Sequence, residues 1–562
     1  MTEKDVHNKG TDSLVRVTFQ PMGISCSVPV GQTVMAAAAS RGIELRSECG
    51  GKGTCGKCLV QITPTAHVSE ISDNEIRALS RSAHHKGSRL ACQAKIVQPI
   101  SVTVPEAGLD SSEPVGKNLE GVTITGVKPN QNRAGAGEPS LGLALDIGTT
   151  TVALYLCSLG SGRILHSEAV PNPQRRYGED VISRIAHAND HQDGLDDLHR
   201  TIVEAVNTLI DRSLERVGAE RREVEKVTVV GNTTMQHLFA GQHPGRLGAS
   251  PYMPESCKAQ EHLAKDLGLA LNPTCPVYIF PVVSGFVGGD TTGVMLCEKP
   301  YLRDEVTLVI DIGTNGEIVL GNRESIWVAS CATGPALEGA HIECGMRASN
   351  GAIDKVSVDP ASYQVEYETI GADATTTPKG LCGSGIIDAV AEMVLAGLIL
   401  PSGRLREGLP GIVVDDSGIG REFVIAEDND YSGRNRVVLT LADIRQVQLA
   451  KSALYTGIKL LMKRAGIETI DRLVLTGAFG ARFNWRSAVA IGMLPESFLE
   501  AEVAVVENAA GRGAVMALLD GELRDEIQSA ADNAHPLELA EDPDFTMEFT
   551  LHTSFPERQD EP

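Results

Sequence analysis

The sequence predicts a small α+β domain followed by a large, two-lobed α/β domain. Three observations carry that expectation. A strand, strand, helix opening leads into four patterned cysteines, a Gly-, Pro- and Ser-rich stretch follows, and an apolar strand running into Asp-Ile-Gly-Thr occurs at 143–149 and again at 308–314. At 562 residues the chain exceeds one hydrophobic core. It matches about three or four domain-sized units, fewer if one is large.

In the first domain, set at 11–105, residues 14–19 and 24–28 read as strands around a turn, and 33–40 as an alanine-rich helix. That order opens a β-grasp. A cysteine loop follows, then a strand at 59–62, an acidic-capped helix near 72–79 and a closing strand at 100–104. Cys49, Cys55, Cys58 and Cys92 are spaced C-x5-C-x2-C-x33-C, three thiols in one loop and a fourth from a distant segment. Two irons need two thiolates each, and a loop containing Gly50, Gly51, Gly53 and Gly56 can wrap a 2Fe-2S cluster with its amides towards the sulfides. Zinc is the alternative, but its ligands usually come as two CxxC-like pairs, whereas Cys92 stands alone. The other eight cysteines are expected to be small buried apolar residues.

Residues 106–140 read as a linker, 141–523 as the large domain and 524–562 as an acidic, weakly patterned tail. In the large domain, β-type runs alternate with amphipathic stretches such as 443–461. The internal repeat places Asp146 and Asp311 165 residues apart in sequence, each at the end of a buried strand. Two related lobes would bring these carboxylates together across a cleft, to hold the hydration shell of Mg2+ or orient a water for in-line attack. The turns Gly148, Thr149, Thr150 and Gly313, Thr314, Asn315 would grip phosphate with amides and hydroxyls. Glu317 and Glu338 are weaker candidates for contact with Mg2+ through water.

These residues resemble those of a superfamily. Asp146-Ile-Gly-Thr-Thr is similar to the first phosphate motif of the actin, heat-shock-chaperone and sugar-kinase ATPases, and Asp311-Ile-Gly-Thr-Asn-Gly-Glu to the second. The resemblance implies duplicated ribonuclease-H-like lobes. Val474-Leu-Thr-Gly-Ala-Phe-Gly resembles the adenosine motif, which implies that Gly477, Ala478 and Gly480 contact ATP. Small-residue helices at 288–297 and 511–519 resemble the connecting helices between lobes. Over nearly the whole chain, including Val230-Gly-Asn-Thr-Thr-Met, Ser284-Gly-Phe-Val-Gly-Gly-Asp and Asn508-Ala-Ala-Gly-Arg-Gly, the sequence resembles the reductive activators of corrinoid proteins.

That resemblance implies an ATP-dependent reductase that passes one electron from a 2Fe-2S cluster to Co(II) of a corrinoid-binding methyltransferase protein, restoring Co(I). The cofactors implied are the cluster, ATP and Mg2+. No flavin or nicotinamide motif is present, so an external low-potential electron donor is expected, and a homodimer stays open. Two alternatives belong to other classes: a small-molecule kinase with a redox-sensing ferredoxin domain, and a non-catalytic electron carrier. A net charge of −23 argues against nucleic-acid binding, which needs clustered Lys and Arg. The longest apolar run, 389–400, is too short to span a bilayer, and residues 1–10 lack the apolar core of a signal peptide, so a cytoplasmic protein is expected.

Overall fold

Alternating side chains build the first sheet: Val17 and Phe19 on one strand and Cys26 and Val28 on its hairpin partner turn inward, while their neighbours face out. Five strands lie in the order Ile24–Pro29, Leu14–Gln20, Ile100–Thr103, Leu59–Thr63, Ser88–Leu90. Leu14–Gln20 and Ile100–Thr103 run parallel and the other pairs antiparallel, which makes the expected β-grasp. Thr33 caps the helix Val34–Ala39 by accepting the Ala36 amide at 3.2 Å, and Ser72 and Glu75 form a capping box on Asp73–Ala78. The strand Ser88–Leu90 was not foreseen, because three residues are too few to show alternation.

The computed structural model describes residues 14–43, 45–46, 51–79, 87–105, 117–128, 140–339, 341–371, 377–415, 418, 420–427, 436–477 and 483–557. They divide into a unit ending at Ser111 and another beginning at Ser112.

The second unit contains the duplication the repeat predicts. In the first lobe Leu141–Ile147, buried at all seven positions, pairs antiparallel with Thr151–Ser158, which pairs antiparallel with Ile164–Pro171. On the other side of Leu141–Ile147, Val224–Gly231 and then Pro276–Ile279 run parallel. The second lobe repeats this pattern: Thr307–Ile312, Gly316–Gly321 and Ile326–Cys331 antiparallel, with Arg472–Thr476 and Glu502–Val505 parallel beyond the first. Asp146 and Asp311 therefore occupy equivalent ends of equivalent strands. The helices Gly289–Glu298 and Ala509–Leu519 cross between the lobes so closely that a Cβ on Gly513 would lie 2.0 Å from the Gly293 carbonyl oxygen.

Two of the expected segments differ in structure. Part of the stretch read as linker, 117–128, lies against the first lobe, with Leu119 and Ile124 buried and a bridge from Thr123 to Arg163. The acidic tail is folded against both lobes: Asp532 pairs with Lys258 and Gln528 accepts the Ala259 amide in the first, and the later part of the tail meets the second. Its helices Glu522–Asn533 and Phe545–Leu551 follow one another, and the latter lies along Leu441–Ala465. Arg464 reaches Asp542 at 2.9 Å, Lys459 reaches Glu548 at 2.8 Å, and the buried Lys451 donates to the His552 and Ser554 carbonyls at 2.6 and 2.8 Å. The acidic residues match the basic face of a distant helix, a relation that local patterning does not display. That helix outruns the expected 443–461 at both ends, from the Thr440 capping box to Gly466 in the left-handed region.

Candidate functional site

The cysteine loop turns through left-handed glycines, and a Cβ on Gly53 would sit 2.7 Å from the Gln93 side chain. Gln93 Nε2 in turn donates to the Gly51 carbonyl at 2.8 Å and points at Cys92 Sγ, 3.6 Å away. Cys58 and Cys92, buried, bring their sulfurs to 3.4 Å, well beyond the roughly 2.05 Å of a disulfide and suited to sharing a metal. Cys55 stands half-buried in the same loop, and Cys49 lies outside the described residues. Beneath the neighbouring strand, Glu75 is fully buried and receives Arg89 Nε at 2.9 Å and the Leu90 amide at 3.0 Å. Burial opposes its ionisation, but Arg89 and the amides of Ser72 and Leu90 hold its carboxyl below the usual range. This pair fixes the segment from which Cys92 projects. Of the other eight cysteines, six are buried and Cys257 and Cys297 are half-buried.

In the second unit the two Gly-Thr turns meet. Gly148 closes the first by donating to the Thr151 carbonyl at 2.9 Å, and Gly313 the second by donating to the Asn315 carbonyl at 2.9 Å. Side chains brace the first turn: the buried Asn172 Nδ2 donates to the Gly148 carbonyl at 2.8 Å and the buried Arg184 Nη2 to the Thr149 carbonyl at 2.6 Å, and the half-buried Asn232 Nδ2 donates to Thr149 Oγ1 at 2.8 Å. Across the cleft, Thr150 Oγ1 and Thr314 Oγ1 are 3.0 Å apart, and both donate to Glu338, at 3.2 and 2.9 Å. Thr292 Oγ1 is turned away, donating to the Pro281 carbonyl at 2.8 Å, while the Thr291 amide donates to Asp290 Oδ1 at 2.8 Å.

Behind these lips lies a cluster of carboxyl groups whose ionisation is opposed by burial and by one another. Burial foremost pushes Asp311 up to about 6, with Lys117 opposing and Asp146 adding. Asp290 is pushed up to about 7 by burial, with Asp311 and Asp146 adding to it and the Thr291 amide and Lys117 opposing. Burial, then Asp290 and Asp311, lift Glu317 well above the carboxylate range. Lys117 forms an ion pair with Asp146. Burial works against its ammonium, but Asp146, Asp311 and Asp290 hold it protonated above its ordinary range. Among the described residues no three His, Cys, Asp or Glu side chains converge closely enough to hold a bare metal ion.

Gly477 brings the third motif against this group. At φ +97° its own Cβ would fall 2.4 Å from Asp311 Oδ1 and 2.5 Å from the Ile312 carbonyl oxygen. Ala478 and Gly480 lie outside the described residues. Thr476 Oγ1 accepts the Ala509 amide at 3.1 Å, and Asn508, capping that helix, donates to the Tyr155 hydroxyl of the other lobe.

Sequence reasoning singled out Asp146, Asp311 and both turns, which the structure brings together, but gave no role to Asp290, Asn508, Asn172, Arg184 or Lys117. Asp290 and Asn508 stand inside the Gly-rich stretches quoted above. Lys117 carries no local signal at all.

Comparison with known proteins agrees with this architecture. Residues 17–97 match the 2Fe-2S iron-sulfur cluster binding domain, 141–300 the RACo middle region, and 305–562 the C-terminal domain of RACo, the ASKHA domain. The chain is similar to the corrinoid activation enzyme RamQ of Eubacterium limosum, 31% identical with 96% of this chain and 99% of that one covered. It is also similar to the [Co(II) methylated amine-specific corrinoid protein] reductase of Methanosarcina barkeri, 25% identical over 63% of this chain and 66% of that one. Among solved structures, a reductive activator for corrinoid, iron-sulfur protein superposes with a TM-score of 0.68 at 30% identity, covering 96% of this chain and 98% of that one. A ferredoxin-type unit, a duplicated ATPase fold and likeness along the full chain together place this protein in the family of reductive activators of corrinoid proteins.

Proposed function

We propose that this chain is an ATP-dependent reductase of a corrinoid protein, whose Co(II) accepts one electron and becomes Co(I). The observation that carries the reading is the joining, in one chain, of paired cysteine sulfurs in a β-grasp loop with two phosphate turns meeting across a cleft. When bound, a 2Fe-2S cluster supplies a one-electron carrier. Cys49, Cys55, Cys58 and Cys92 would hold it, and Gln93 would orient the Cys92 sulfur. The electron enters from an external low-potential reductant and leaves to the partner's cobalt, so the chain needs no small-molecule redox pocket.

The nucleotide half acts through binding and hydrolysis. Gly148, Thr149 and Thr150 with Gly313, Thr314 and Asn315 would bind the phosphates of ATP, while Gly477, with Ala478 and Gly480, admits the adenosine. Asp146 and Asp311, helped by Asp290 and Glu317, would hold Mg2+ through its water shell. One of these carboxylates would orient the water that attacks the terminal phosphorus as the bond to the ADP oxygen breaks. Each 59 mV of unfavourable potential costs about 1.4 kcal/mol for one electron, so a gap of several tenths of a volt calls for the free energy of ATP. No helix among the described residues is long and apolar enough to cross a membrane.

The test is anaerobic. Cluster-loaded protein, a chemical reductant and a Co(II) corrinoid protein are mixed with and without Mg-ATP, and the Co(I) absorbance is followed. Co(I) formed only with ATP, and abolished in Cys92→Ser, is the expected result. Phosphorylation of a small molecule without Co(I) in any nucleotide condition would instead point to the kinase reading.

A further inference from the structure

The segment 117–128 delivers a cation to the cleft, and the reading above gives it no role. Leu119 is 1% exposed; its amide donates to Ser167 Oγ at 3.2 Å, the Gly121 amide donates to the Ile164 carbonyl at 3.0 Å, and the Ile164 amide returns to the Val122 carbonyl at 3.0 Å. The segment thus lies as an extra edge along the strand Ile164–Pro171, and Lys117 stands two residues before an anchored leucine. Its side chain, 18% exposed, ends against Asp146, with Asn508 Oδ1 3.5 Å away.

That ammonium lies among carboxyl groups drawn from both sides of the cleft. Asp146 and Asp311 come from the two phosphate turns and Asp290 from the first turn of a connecting helix, and all three act on Lys117. A polyphosphate entering the cleft is repelled by whichever of these carboxyl groups are ionised. Mg2+ offsets part of that repulsion, and Lys117 is a cation already in place among the same groups. Lysine suits an exchange of partners, because its three donors sit on a flexible stem and act as a point charge.

We infer that Lys117 is a phosphate-binding residue of the nucleotide site: its ammonium passes from Asp146 to a terminal phosphate oxygen of Mg-ATP and returns to Asp146 when the site empties. The exchange swaps one charge-assisted hydrogen bond for another, breaks no covalent bond, and leaves Asp146 able to receive a metal-bound water. The inference rests on the nucleotide reading proposed above.

The test measures Mg-ATP and Mg-ADP affinities by calorimetry on full-length, cluster-loaded protein carrying Lys117→Ala, Lys117→Gln or Lys117→Arg. ATP affinity is expected to fall about tenfold to a hundredfold in Lys117→Ala and Lys117→Gln, ADP affinity to fall less, and Lys117→Arg to recover most of the loss. The visible spectrum of the cluster should stay unchanged, which separates a local effect from misfolding. Lys117→Gln, similar in length and polarity, supplies the comparison if Lys117→Ala does not fold. Wild-type affinities in the uncharged variants would overturn the inference alone. An equal loss for both nucleotides without recovery in Lys117→Arg would do the same, making Lys117 a structural counter-ion of Asp146. A wild-type protein that binds neither nucleotide would overturn the nucleotide reading and this inference together.

Discussion

Replacing Asp311 with Asn should stabilise the nucleotide-free protein, by an amount that depends on pH. The carboxyl is moved from its ordinary 3.8 to about 6 because burial and Asp146 outweigh the pull of Lys117. At about 1.4 kcal/mol per tenfold, its charged form is disfavoured by about 3 kcal/mol in the folded state. Between pH 3.8 and about 6 the folded chain keeps a proton that the unfolded chain has lost, so stability falls as pH rises through that window and levels off above it. Asn carries no such penalty. The gain from Asp311→Asn should therefore grow from about 1 kcal/mol at pH 4.5 to about 3 kcal/mol at pH 8, as an upper estimate. Urea titration at both pH values, without nucleotide or Mg2+, reads the difference from the midpoint and slope. ATP hydrolysis should be lost in the same variant, separating a site built for chemistry from one built for stability. A loss of stability at pH 8, or a gain independent of pH, would refute the electrostatic argument and assign Asp311 a structural hydrogen-bonding role.

Two further outcomes follow from contacts already described. Gly477→Ala places a Cβ 2.4 Å from Asp311 Oδ1 in a backbone conformation that costs a non-glycine residue about 1–2 kcal/mol, so a lower melting temperature and weaker ATP binding are expected, measured by calorimetry. Glu75→Gln leaves the Arg89 guanidinium buried without its carboxylate and should cost about 3–5 kcal/mol. Because Glu75 is held below its usual range, its contribution is present near neutrality and is lost as pH falls. The variant's defect should therefore shrink in acid, as followed by the thermal loss of cluster absorbance, while ATP affinity stays unchanged.

The elements visible in the sequence are those whose cause is local. A buried strand running into Asp-Ile-Gly-Thr carries its own turn chemistry, so the repeat located Asp146 and Asp311 and implied two lobes of equal topology. The β-grasp strands showed their period, and Ser72 with Glu75 announced a helix start. What stayed hidden depends on partners far along the chain. Lys117 acquires meaning only through Leu119 anchoring it beside Ser167. Asp290 becomes unusual only when Asp311 and Asp146 arrive next to it. The tail looked featureless because Asp542, Asp544 and Glu548 complement Arg464, Lys463 and Lys459 on a helix nearly 80 residues or more away. Composition registers charge without registering where its complement lies.

The closed lips of the cleft bear on how nucleotide binding is turned into work. Thr150 and Thr314 spend their hydroxyl protons on Glu338, yet these are the groups proposed above to contact phosphate. Nucleotide must exchange those cross-lobe bonds for its own, so its affinity includes the free energy of parting or rearranging the lips. A ligand shifts such an equilibrium only by its differential affinity for the two states, and in the reading proposed above ATP and ADP would differ at the phosphate placed between the two turns. The glycine crossing of the connecting helices allows the two lobes to answer that difference, because Gly293 and Gly513 present backbone rather than side chains to each other. Hydrolysis would then remove the group that distinguishes one lobe arrangement from the other, and the partner protein would be gripped or released accordingly.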